Sequence, residues 1–130
     1  PTVVADRDDS SIEVEVEGIS KGEKIEIGIG LTRLPEETFI IDKQKGIMGS
    51  WGFQNPEIGW VGLGVIFPSN QFVKLDEQPN EHRVVLRYKK GKPLTYHIQS
   101  SWLKGIRFSC CPSAQDWGNV LKVKANQIKR

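Results

Sequence analysis

The feature that most constrains this chain is an alternation of period two running through its first two thirds. Ile12, Val14 and Val16 alternate with Glu13, Glu15 and Glu17, and Ile25, Ile27, Ile29 and Leu31 alternate with Lys24, Glu26, Gly28 and Gly30. Successive side chains of a strand point to opposite faces, so each run reads as a strand with one buried and one wet face. Further β-like runs lie at 38–41, 47–52, 60–67, 72–75, 83–89, 94–99 and 106–109, punctuated by Pro, Gly and Asn. Many short strands between turn signals predict an all-β fold, an antiparallel β-sandwich.

Only the C-terminus breaks the pattern. Ser113 followed by Asp116 resembles a capping box, and Trp117, Val120, Leu121, Ala125 and Ile128 recur at helical spacing, which predicts one C-terminal helix with Trp117 in the core. The alternation of Leu121, Val123 and Ala125 leaves a short helix running into a strand as the alternative. At 130 residues the chain has room for one domain, 1–130, and no apolar run approaches a membrane span. It begins without Met or a signal peptide, which suggests processing or excision from something longer.

Charge is uneven along the chain. Net charge is −5 over residues 1–30, −2 over 31–80 and +9 over 81–130. The basic end suits an anionic partner, or else it is a solvated surface facing the acidic end. Cys110 and Cys111 are adjacent, too close for an ordinary mutual disulfide, and with only His82 and His97 to add they form no zinc pattern. No metal or cofactor is expected.

The residues 83–99 form the most chemically suggestive segment. Read as a hairpin with position 89 opposite 93, they place Val84, Leu86 and Tyr88 against Ile98, Tyr96 and Leu94. The other face then gathers Arg83 and Arg87 with His97, Gln99 and Thr95. Two guanidiniums suit a carboxylate and an imidazole suits proton transfer, although a merely wet sheet face would look the same. A second hairpin is expected between the strands around 12–16 and 25–31, joined through Gly18 to Gly22.

Gly28 and Gly30, like Gly62 and Gly64, replace the polar partner in their strands, so something approaches those backbones closely. If the two strands adjoin, the four glycines make one flat floor, covered by packed side chains in preference to a ligand. Trp51 lies in a Gly/Pro-bounded segment, 49–56, that reads more as loop than core, and Trp60 and Trp102 also follow loops. Rings so placed suit stacking on sugars or bases. No GxSxG, HExxH or Walker motif is present, and Glu36-Glu37 and Asp76-Glu77 are adjacent pairs in expected turns, a poor geometry for glycoside hydrolysis.

Taken together, Lys24-Ile25-Glu26-Ile27-Gly28-Ile29-Gly30-Leu31, Gly49-Ser50-Trp51-Gly52, Gly62-Leu63-Gly64-Val65-Ile66, Ser101-Trp102 and Asp116-Trp117-Gly118-Asn119-Val120-Leu121 resemble a known family. They are similar to the C-terminal half of the bacterial domain-of-unknown-function-4861 family, over residues 11–125. The resemblance implies a part of a β-supersandwich associated with polysaccharide breakdown, beside unsaturated uronyl hydrolases. It implies an acidic, uronate-containing glycan as partner, a periplasmic or extracellular location, and a missing N-terminal sandwich half that would make this chain a half-domain. No catalytic residue carries over from it.

The expected mechanism has Arg83 and Arg87 hold a uronate carboxylate, His97 act as acid or base in a lyase or hydrolase, and Trp51, Trp60 or Trp102 stack on the sugar. The alternatives are a non-catalytic carbohydrate-binding or protein-interaction module, and single-stranded nucleic-acid binding. The absence of a basic stripe across the whole chain argues against nucleic acid.

Overall fold

A computed structural model describes residues 9–15, 22–91, 94–102 and 113–128. Its strands are β1 (Asp9–Val14), β2 (Lys24–Thr32), β3 (Thr38–Asp42), β4 (Ile47–Asn55), β5 (Gly59–Ile66), β6 (Phe72–Glu77), β7 (Glu81–Lys89) and β8 (Leu94–Trp102), followed by helix α1 (Ala114–Ile128). Every pairing is antiparallel, in a five-stranded sheet of order β1-β8-β5-β4-β3 and a three-stranded sheet of order β2-β7-β6. The protein is an all-β sandwich with one C-terminal helix, as the alternation predicts. The run at 106–109 lies outside the described residues.

Two apolar layers hold it together. Between the sheets, Ile29, Leu31, Met48, Val65, Phe67, Val84, Leu86, Tyr88 and Leu94 are buried together. On the far side of the five-stranded sheet, α1 lays Trp117, Leu121 and Ala125 against Ile47, Trp51 and Ile66. The helix begins as its sequence predicts, with the Asp116 N–H donating to Ser113 Oγ at 3.3 Å and the Ser113 hydroxyl donating to Asp116 Oδ2 at 3.1 Å. It stays helical to Ile128, so the strand alternative falls.

Close approach of α1 explains one pair of sequence glycines. A Cβ built on Gly62 would lie 2.6 Å from the Trp117 ring, and one on Gly64 would lie 2.6 Å from Leu121 Cδ2. Gly28 and Gly30 are elsewhere, on the outer face of the three-stranded sheet. The four glycines therefore make two separate floors, and packed side chains cover both.

Both expected hairpins are corrected. β7 pairs with β2 and β6, while β8 pairs with β1 and β5, so consecutive strands cross from one sheet to the other. Likewise β1 and β2 belong to different sheets. The physical reason is that alternation states which residues are buried, not whether their partners lie beside them or across the core. Val84, Leu86 and Tyr88 do meet Leu94 and Tyr96 in one core, but face to face. Their polar neighbours consequently point to opposite outer surfaces of the sandwich.

Candidate functional site

Crossing between sheets separates the residues expected to act together. Arg83 and Arg87 stand on the outer face of the three-stranded sheet. His97 stands on the outer face of the five-stranded sheet, opposite Ile66 in register, where it lines a recess of about 260 Å³ with Ile66, Phe67, Pro68, Thr95 and Ile128. Gln99, expected opposite Arg83 on a wet surface, is fully buried in that same sheet. The Arg83/Arg87/His97 constellation is therefore not assembled.

The tryptophans are also rearranged. Trp51 lies within β4, only 4% exposed, under α1, so it is core and not loop. Trp60 on β5 is half-buried and stacks on Trp51, ring centroids 6.1 Å apart, with Phe53 edge-on at 5.7 Å. Trp102 ends β8 opposite Val61. Cys110 and Cys111 lie outside the described residues. Among the described residues, no cluster of His, Cys, Asp and Glu is arranged to hold a metal, and no helix is long and apolar enough to cross a membrane.

What the three-stranded sheet does form is an open trough of about 450 Å³, lined by Glu26, Gly28, Lys74, Asp76, Glu81, Arg83 and Val85. Outward positions of β2, β6 and β7 supply these residues, and Arg87 continues the row opposite Glu26. Gly28 and Gly30 leave a bed into which larger side chains lie flat. A Cβ on Gly28 would lie 2.7 Å from Arg83 Cδ, and one on Gly30 would lie 2.7 Å from Glu81 Cδ. Arg83 Nε donates to Glu81 Oε2 at 2.9 Å, and its Nη1 lies 3.8 Å from Asp76 Oδ2. The surface thus offers cations and hydrogen-bond acceptors in alternation.

Beneath it is a polar cluster that the sequence expectations do not include. His82, 2% exposed, faces Glu37 Oε2 through Nε2 at 2.5 Å and both Glu77 oxygens through Nδ1 at 2.9 and 3.0 Å. Carboxylates offer only lone pairs, so both contacts are hydrogen bonds when the ring carries two N–H protons. Phe39 stacks on the imidazole at 3.8 Å, and Arg33 Nη2 donates to Glu77 Oε2 at 2.7 Å. Glu37 immediately precedes β3, whereas His82 and Glu77 are on β7 and β6, so this bridge joins the two sheets. The signal was available in the sequence: His82 and Glu77 occupy the inward phase of their strands, where the pattern otherwise places apolar residues.

Burial is the largest single influence on Glu37 and pushes its carboxyl up, but bonds from the Leu34 N–H, the Ser50 hydroxyl and His82 outweigh it. Its carboxyl is held below the usual carboxylate range. Glu77 is also held low, chiefly by its bond from His82, with burial opposing and Arg33 assisting. A depressed carboxyl stabilises the fold above its unfolded value, near 4.5, and that contribution is lost as pH falls through the folded value. We expect the melting temperature to drop on acidification below about pH 4.5, and to drop less steeply in Glu37→Gln. Equal slopes in thermal melts of the two proteins would show that Glu37 does not contribute. Glu77, with its side chain 44% exposed, contributes less because solvent screens it.

Fold and surface together define a small β-sandwich domain, sealed by a helix on one sheet and presenting a charged trough on the other. The chain belongs to the family described as domain of unknown function DUF4861, whose model matches residues 2–130. No curated protein and no solved structure matches it.

Proposed function

We propose that this domain binds acidic, uronate-containing carbohydrate in the trough of the three-stranded sheet, as a binding module outside the cytoplasm. The observation that carries the reading is the composition of the trough, in which Lys74 and Arg83 lie among Glu26, Asp76 and Glu81 with Arg87 alongside. A uronate presents one carboxylate amid many hydroxyls. Guanidinium and ammonium groups match the carboxylate, and side-chain carboxylates accept from sugar hydroxyls. A wholly basic surface would suit a polyanion of phosphates better. Catalysis by His97 has no support in this arrangement, because that imidazole belongs to the opposite face. Trp51 is withdrawn from sugar stacking by its burial.

Calorimetry with oligogalacturonate, alongside its neutral counterpart, tests the reading. Binding should favour the acidic sugar, weaken with added salt, and fall at least about tenfold in Arg83→Ala, since a hydrogen bond to a charged group contributes ~1.5–3 kcal/mol. Equal affinity for both sugars, or an unchanged affinity in Arg83→Ala, would refute it.

A further inference from the structure

The trough and the bridge are two sides of one hairpin end. In β6, Asp76 points out to the trough and Glu77 in to the bridge. In β7, Glu81 and Arg83 point out while His82 between them points in. The register pairs Asp76 with Arg83 and Glu77 with His82. Two residues upstream the pairing is irregular, with a shift between Phe72 and Lys74. Between that bulge and the turn, the register is held at the turn itself by reciprocal backbone bonds, Gln78 N–H to the Glu81 carbonyl at 2.9 Å and Glu81 N–H to the Gln78 carbonyl at 3.4 Å, and immediately beside them by the bridge. The connecting turn is held from the same side, because Arg33 Nε donates to the Gln78 carbonyl at 2.9 Å while its Nη2 holds Glu77.

We infer that the Glu37–His82–Glu77 bridge positions the trough, by locking the register of β6 against β7 and hence the spacing of Lys74 and Asp76 relative to Arg83. His82 and Glu77 are positioning residues in this account, touching no ligand themselves. The inference rests on the trough being the binding surface, but its geometric content can be read without any ligand. A one-residue slip of β6 would turn Asp76 into the core and Glu77 into the trough. Even a partial loosening would move Asp76 from its place 3.8 Å from the Arg83 guanidinium.

Nuclear magnetic resonance on the free protein separates positioning from general stability. The readouts are the cross-strand contact between the Asp76 and Arg83 backbones and the Arg83 Nε–H signal. His82→Gln should lose the contact and shift the signal, and it should weaken oligogalacturonate binding at least tenfold. Glu77→Gln, at the exposed end of the bridge, should do the same and serves if His82→Gln fails to fold. Leu121→Ala loosens the fold from the opposite sheet and should leave both readouts in place. Unchanged readouts in a folded bridge variant would overturn the inference, as would equal changes in Leu121→Ala. A wild-type protein that binds no uronate would refute the glycan reading alone, since the ligand-free readouts still decide the positioning role.

Discussion

Trp117→Ala should cost about 3–5 kcal/mol, the usual range for deleting a large buried aromatic. The ring is fully buried between α1 and the five-stranded sheet, lying on Gly62 where any side chain would displace it. Its indole Nε1–H also donates to the Leu63 carbonyl at 3.0 Å, tying the helix to β5 by a directional contact. Deletion removes the apolar area and that bond, and the glycine floor offers no neighbouring side chain to collapse into the space. For a domain of this size the loss corresponds to a melting temperature lower by on the order of 10–20 °C. Circular dichroism melts measure it. A loss below about 1 kcal/mol would mean that the helix does not seal the sheet through this residue.

Gly46→Ala should be nearly as damaging, for a different reason. Gly46 has φ of +75° in the turn between β3 and β4, and a Cβ there would run into the Phe67 carbonyl oxygen. The backbone cannot move aside easily. Gly46 N–H donates to the Asp42 carbonyl at 2.9 Å, and Phe67 N–H donates to the Gly46 carbonyl at 2.8 Å. Asp42 Oδ1 further fixes the turn by accepting from the Gln44 and Lys45 N–H groups at 3.1 and 3.0 Å. A strained backbone costs about 1–3 kcal/mol and overpacking costs a similar amount, so a total near 4 kcal/mol is expected. Gly22 supplies the control, with φ of +84° and nothing within 4 Å of the position a Cβ would take. Gly22→Ala should show the conformational cost alone, about 1 kcal/mol. Equal losses at the two sites in denaturant titrations would remove the steric argument.

The strands and the helix were legible because each depends on local rules. Period two marked β2 as Ile25 to Leu31, and the Ser113/Asp116 pair marked where α1 starts. What local patterns do not encode is lateral neighbourhood. Tyr88 and Leu94 read as lateral partners in one hairpin, yet they belong to different sheets and share only the core between them, and this single ambiguity moved His97 to the opposite face from Arg83. Trp51 reads as a loop residue in the sequence because glycines at 49 and 52 look like loop punctuation. Gly49 lies under Leu121 and Gly52 lies against Leu34, so both are packing glycines within a strand. The bridge was hidden by sequence distance, since Glu37 and His82 are 45 positions apart. The carboxylate pairs at 36–37 and 76–77 were visible, but only the fold shows that one member of each turns inward to the same imidazole.

In the proposed function the charged trough, and not the face carrying His97, is the binding surface of this domain. Residue-resolved amide shifts during a titration with oligogalacturonate distinguish the two faces. Perturbations should centre on Glu26, Gly28, Lys74, Asp76, Glu81 and Arg83, with Thr95, His97 and Ile66 unmoved. Perturbations centred on His97 and its recess, or the same trough shifts with a neutral oligosaccharide, would contradict it.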